Sequence, residues 1–208
     1  MASIGEEVNP IKGYSLHKEY PCQTKYEKYQ HMKVILIMVQ SLNGKITKDN
    51  DPDIYKWTSK EDQEFFFRML SKHTLTIMGS RTYEAARENI KPYGKRRRII
   101  LTSTPDRYRD ATIPGQIEFS SELPGELITR LGDEGYETAL LVGGAETNRQ
   151  FFEAGLVDEL YITIEPRLFG KGKQIIADGN YDGELALESV ERLNEKGTLL
   201  LKYKIREV

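Results

Sequence analysis

The sequence predicts an α/β fold: one mixed, mostly parallel sheet flanked by helices and ending in an antiparallel hairpin. Three observations carry this. Short apolar runs recur along the chain, at Lys33 to Gln40, Leu75 to Met78, Ile99 to Leu101 and Ala139 to Val142, with helical stretches between them. Strands alternating with helices make parallel sheets. Two of the runs end in glycine and pass directly into a helical stretch, at Gly79 and at Gly143-Gly144. Finally, Leu185 to Leu193 and Thr198 to Ile205 alternate around Asn194-Glu195-Lys196-Gly197, which reads as a hairpin.

The chain has 208 residues, 38% hydrophobic and 30% charged, with a formal net charge of −2. That composition supports a globular chain with one sizeable core. The near-neutral balance argues against a nucleic-acid or anionic-membrane surface as the main partner. Cys22 is the only cysteine, so neither an intrachain disulfide nor a cysteine metal site is expected. The histidines His17, His31 and His73 lack ligand spacing. No run has the length of a signal peptide or a membrane span, and a reducing cytoplasm is the expected location.

Residues 1–31 form a polar, tyrosine-dotted extension without a clear period, expected to be partly irregular or draped over the domain or a partner subunit. The domain proper runs from 32 to 208. Lys33-Val-Ile-Leu-Ile-Met-Val-Gln40 is apolar throughout, as a central strand buried on both faces should be. Asn43-Gly44 then marks a turn. Trp57, the only tryptophan, precedes Thr58-Ser59-Lys60-Glu61-Asp62, where Ser59 is a good N-cap. Phe65, Phe66, Met69 and Leu70 give that helix its apolar face.

Gly79-Ser80-Arg81-Thr82 follows the second strand. Arg81 with the hydroxyls suits a phosphate; alternatively Ser80 or Thr82 is an N-cap and Arg81 a solvated residue. Lys95 to Arg98 reads as a solvated loop ahead of the third strand, which ends in Leu101-Thr102-Ser103. Ile117 to Phe119 is a short strand, and Glu126 to Leu131 a helix stopped by Gly132. At Gly143-Gly144 the helix is expected from Asn148 to Ala154. Two readings stand for this turn: a cradle in which backbone N–H groups and the helix dipole hold an anion, or a tight turn that needs glycine only for positive φ. Leu160 to Ile164 is the next strand, followed by Glu165-Pro166 and a glycine-rich basic loop.

The order of these pieces resembles the dihydrofolate reductase-like superfamily, closest to the reductase domain of the riboflavin-pathway deaminase–reductase family. The resemblance rests on Ser41-Leu42-Asn43-Gly44-Lys45-Ile46, Trp57-Thr58-Ser59, Ile77-Met78-Gly79-Ser80-Arg81-Thr82-Tyr83, Leu101-Thr102-Ser103, Val142-Gly143-Gly144-Ala145-Glu146, Gly155 to Leu160, and Gly170-Lys171-Gly172. It implies an oxidoreductase with NADPH as hydride donor. On that resemblance Gly79, Ser80, Arg81 and Thr82 with Gly143, Gly144, Ala145, Glu146 and Thr147 hold the pyrophosphate region. Arg81, Thr102 and Ser103 lie near the 2′-phosphate, with Leu101 and Val142 in the same motifs. Val39 and Ile46 pack around the nicotinamide. A homodimer is also implied.

The chain departs from its relatives on the substrate side. Asn43 stands where many riboflavin-type reductases carry an aspartate. The segment after Tyr83 lacks their aspartate–proline–leucine–arginine pattern. Counting back from Gly79 to the acid of dihydrofolate reductases lands on Gln63. The acceptor is therefore expected to be a planar heterocycle, an aminopyrimidine or a pterin, against a wall of Gln40, Ser41, Asn43 and Trp57. The candidate proton donors are Asp62 and Glu61, then Glu165, with water relayed by Ser41 or Asn43 as a further route. A nucleotide-binding protein without catalysis is the competing reading.

Overall fold

The computed structural model describes residues 32–49, 51, 53–90 and 94–206. The expectations for residues 1–31, Cys22 included, lie outside them. Eight strands form one sheet: β1 (Lys33–Ser41), β2 (Leu75–Gly79), β3 (Arg97–Leu101), β4 (Ile117–Ser120), β5 (Thr138–Leu141), β6 (Glu159–Glu165), β7 (Leu185–Arg192) and β8 (Leu199–Ile205). Their order is β4-β3-β2-β5-β1-β6-β8-β7. Strands β1 to β6 pair in parallel, β8 joins β6 antiparallel, and β7 closes the edge as the hairpin partner of β8. The mixed, mostly parallel sheet with its terminal hairpin is the fold that the sequence predicts.

Side-chain alternation along each strand sorts the core into two layers. Val34 and Leu36 of β1, Leu75 and Ile77 of β2, and Ile99 and Leu101 of β3 face α3 (Pro124–Asp133) and α4 (Ala145–Glu153), meeting Leu127, Leu131 and Phe151. Ile35 and Ile37 face the other way, onto Phe65 and Met69 of α1 (Lys60–Lys72). On that same face Met78 and Ile100 meet Tyr83 of α2 (Ser80–Ala86). Strand β1 is buried on both faces because α3 and α4 cover one and α1 the other, while β5 and β6 pair its edges.

Helix α1 starts as its sequence predicts: the Ser59 hydroxyl accepts from the Asp62 N–H at 3.2 Å. Three expectations need correction. Gly132 does not stop α3, because Leu127, Ile128 and Leu131 bury one continuous face and the chain turns only at Gly135, with φ +91°. Helix α4 begins at Ala145, immediately after the glycine pair, rather than at Asn148. The basic run is not all solvated loop. Arg97 and Arg98 open β3, where Arg97 is paired with Glu118 and Glu134.

Candidate active site

Because β2 and β5 are neighbours in the sheet, their two glycine junctions lie side by side. The Gly79 N–H donates to the Gly143 carbonyl at 2.8 Å. Gly79 is the N-cap of α2 and Gly144 the N-cap of α4, and neither helix start has a side-chain cap bond. The first-turn N–H groups of α4 are therefore left for another acceptor. Close packing explains the glycines. A Cβ at Gly79 would stand 2.4 Å from the Thr147 hydroxyl, and one at Gly144 would stand 3.2 Å from the Thr82 hydroxyl. Gly143 has φ +92°, which favours glycine in its own right. The Gly143–Gly144 peptide is cis.

These turns open onto a groove, a cavity of 3540 Å³ whose lining runs from the strand ends round to α3 and to the start of β3. The part of it at the glycine turns is continuous with the part at the start of α1. Val39, Ile46, Gly79, Ser80, Arg81, Thr82, Leu101, Thr102, Ser103, Val142, Gly144, Ala145, Glu146 and Thr147 all line it. Of the expected cofactor residues only Gly143 does not; its carbonyl is turned to Gly79 instead.

One carboxyl of a buried pair lines the same groove. Asp62, on the first turn of α1, is 6% exposed and lines the groove. Burial pushes its pKa up to about 6; a hydrogen bond with Thr163 of β6 opposes the rise, and the Glu165 charge adds to it. Glu165 is 3% exposed and uses both oxygens as acceptors. Oε1 takes the Ser59 N–H at 2.7 Å and Oε2 the Thr198 hydroxyl at 2.8 Å. Thr163 and Glu165 are two apart on one strand and share a face, so β6 presents both to the start of α1. Burial, with the charges of Asp53 and Asp62, also raises the pKa of Tyr55 on the groove wall.

The expected substrate wall is placed differently. Trp57 is 4% exposed, edge-on to Phe169 at 5.1 Å between ring centres, and packed with Val39. Its ring is spent on the core and offers no face for stacking. Ser41 is fully buried and bonds Asn43 at 2.8 Å, while Asn43 clamps the Phe169 backbone through both N–H (3.1 Å) and carbonyl (2.8 Å). Ser41 and Asn43 hold a loop rather than relay water, and Gln40 does not line the groove either. Glu61 points to the hairpin turn, accepting from Asn194 at 3.0 Å. Of the three candidate acids, only Asp62 opens onto the groove. Tyr55, Gln63, Phe66 and Phe67 line the groove beside Asp62. Thr163 was missed, although its place two residues before Glu165 in an alternating strand could have signalled it.

Residues 32–199 match the family model described as the RibD C-terminal domain. The chain belongs to that family. Within reach of this RibD C-terminal domain, the uncharacterized protein YwjB of Bacillus subtilis is 24% identical over 169 residues, covering 78% of this chain and 93% of its own. A putative riboflavin biosynthesis protein from Shewanella sp. PV-4 superposes with a TM-score of 0.70 at 18% identity, covering 85% of this chain and all (100%) of that one. A dihydrofolate reductase from Enterococcus faecalis, complexed with NADP(H) and RAB-propyl, superposes with a TM-score of 0.58 at 21% identity, covering 86% of this chain and 99% of that one. The two structural likenesses show a dihydrofolate reductase-like fold for this RibD C-terminal domain.

Proposed function

We propose that this chain is an NADPH-dependent reductase of a planar heterocycle, an aminopyrimidine of the riboflavin-pathway type or a pterin. One observation carries the reading. Asp62, a buried carboxyl with its pKa near 6, lines the same groove as the two glycine–helix junctions.

The residues fit the dinucleotide. Between the glycine turns the backbone is bare where a Cβ at Gly144 would crowd Thr82, and α4 starts uncapped, a combination suited to a diphosphate. Gly79 to Thr82 and Gly143 to Thr147 would hold the diphosphate. Arg81, Thr102 and Ser103 would hold an adenosine 2′-phosphate, and Val39 and Ile46 the nicotinamide. Bound NADPH supplies the hydride.

The chain's own task is to orient the acceptor, exclude water and deliver a proton. Protonated below about pH 6, the Asp62 carboxyl can donate to a ring nitrogen in the groove. Thr163 fixes its direction from β6. A non-catalytic NADPH sensor is the competing reading; a buried carboxyl in the groove, Asp62, favours catalysis over it. The test is NADPH oxidation against a panel of aminopyrimidines and pterins, beside a direct NADPH titration. Turnover with one of them, reduced about 100-fold or more by Asp62→Asn, is expected. Absence of NADPH binding overturns the reading, and binding without any turnover across the panel moves it to the sensor.

A further inference from the structure

One side chain answers both backbone groups of Phe169. The Asn43 side-chain oxygen accepts from the Phe169 N–H at 3.1 Å, and its NH2 group donates to the Phe169 carbonyl at 2.8 Å. The same side-chain oxygen accepts from the Ser41 hydroxyl at 2.8 Å. Ser41 in turn holds the turn that carries Asn43. Its hydroxyl accepts from the Lys45 N–H at 3.0 Å and its carbonyl from the Gly44 N–H at 2.9 Å. The partners fix the orientation of the Asn43 amide, because a flipped group would set donor against donor and acceptor against acceptor.

This pairing closes the gap between two loops. The loop after β1 and the loop after β6 are tied by backbone bonds from Leu42 to Arg167 (2.9 Å), Ile46 to Lys173 (2.9 Å) and Asp49 to Lys171 (3.0 Å). Phe169 lies between Arg167 and Lys171, and there the tie is the Asn43 side chain. The ring so placed is 7% exposed and packs with Trp57 and Val39. Val39 and Ile46, the residues proposed above for the nicotinamide, both line the groove. Val39 rests on Phe169, and Ile46 follows the turn that Ser41 and Asn43 hold.

An amide can make this pairing and a carboxylate cannot. Asn carries an acceptor and donors on one planar group; an ionised Asp has acceptors only, and a protonated one regains a single donor. A carboxylate at position 43 would keep the bonds from Ser41 and from the Phe169 N–H. Its second oxygen would then face the Phe169 carbonyl, two acceptors with no proton between them. The charged groups nearby are Lys45, Lys48 and Asp49 on the same loop, Arg167, Lys171 and Lys173 on the facing loop, and Glu165 at the end of β6. Beyond Phe169 stand Asp51, Asp53 and Lys56 before Trp57, and Asp62 at the start of α1. All are present with or without a change at position 43, so a comparison at equal pH isolates that position.

We propose that Asn43 is a positioning residue whose amide latches Phe169 to the turn after β1 and thereby sets the wall against which the nicotinamide lies. The identity of the occupant as the nicotinamide rests on the reductase reading. The latch itself reports without any ligand.

Trp57 is the only tryptophan of the chain and stands edge-on to the latched ring at 5.1 Å, so its emission reads the latch. The experiment records that emission from about pH 4 to pH 8, across the carboxylate range, for the whole unmutated chain, Asn43→Asp and Asn43→Ala. Each is then titrated with NADP+, and affinity is expressed as a ratio to the unmutated chain at the same pH. Asn43→Asp should approach the unmutated emission at the acid end and depart from it as the new carboxyl ionises. Its NADP+ affinity should fall over the same range from near parity to about tenfold weaker, the size of one lost hydrogen bond. Asn43→Ala should differ at every pH, with a similar loss. The two ends of the Asn43→Asp curve are compared within one protein, so the result does not need the alanine variant to fold. Asn43→Asp emission that tracks the unmutated chain throughout overturns the latch. Emission that departs while the NADP+ ratio stays at parity overturns the positioning role and assigns Asn43 to the fold alone. An unmutated chain that binds no NADP+ removes the cofactor reading, and the emission curves still decide the latch.

Discussion

The chemistry of the site turns on one proton. Asp62 has its pKa raised from 3.8 to about 6, so the native state favours its protonated form. The stabilisation this brings is complete below about pH 4 and is lost as pH rises through 6. Holding the charged form above that pH costs at most about 3 kcal/mol, at roughly 1.4 kcal/mol per pH unit of displacement. Asp62→Asn should therefore unfold at higher denaturant at pH 8 than the unmutated chain while losing turnover; an equal or lower midpoint would mean that burial does not strain Asp62. The turnover of the unmutated chain should fall as pH rises above about 6. Glu165→Gln removes the charge that helps to raise Asp62, so the falling limb should move to lower pH. A limb that stays in place would leave Glu165 with a purely structural part through Ser59 and Thr198. Asp62 was legible from sequence because its capping serine is three residues away. Its coupling to Glu165 was not, because the partner lies on another strand and the pairing exists only once β6 meets the start of α1.

Among elements, the glycine junctions separate packing from binding. Gly79 has φ −82°, open to any residue, yet a Cβ there would stand 2.4 Å from the Thr147 hydroxyl. Gly79→Ala must turn the buried Thr147 hydroxyl out of its place or shift α4, and overpacking of this kind costs about 1–3 kcal/mol. At Gly144 a Cβ meets only Thr82, at 3.2 Å, a contact that a few tenths of an ångström relieve. Gly144→Ala is thus expected to keep the melting temperature while weakening NADPH binding, and Gly79→Ala to lose both; the reverse pattern in thermal unfolding and NADPH titration would remove the cofactor role of the second turn. Arg81, exposed on the same groove, should supply the preference for NADPH over NADH, so Arg81→Ala should erode the ratio of the two affinities about tenfold. The strands and the glycine turns were legible because apolar runs with glycine ends have few other uses. The start of β3 was not: two arginines look like solvated loop until Glu118 and Glu134 arrive beside one of them. Nor was the fate of Trp57, since a lone tryptophan before a helix looks the same whether it stacks on a ligand or on Phe169.

On the scale of the whole molecule, the sheet ends in an edge that the described residues do not cover. Strand β7 is exposed along nearly all of its length. A bulge between Leu187 and Ser189 shifts its register, so that Leu185, Leu187 and Val190 lie opposite Ile205, Tyr203 and Leu201. Without the bulge, Val190 would fall on the other face from Leu185 and Leu187. With it, all three share one face, at 40%, 55% and 54% exposure. That face continues the layer in which Leu160 and Ile162 pack with Tyr203 and Ile205, but among the described residues no helix lies over it. An apolar sheet face of this kind is a place for association, and a second copy of the chain offers the matching patch under two-fold symmetry. A homodimer built on the hairpin is therefore expected. Sedimentation at micromolar concentration should report a dimer for the unmutated chain, and Leu187→Glu with Val190→Glu should convert it to a folded monomer, because paired like charges would then meet across the axis. A monomer before mutation, or a dimer that survives both glutamates, would place the interface elsewhere or nowhere.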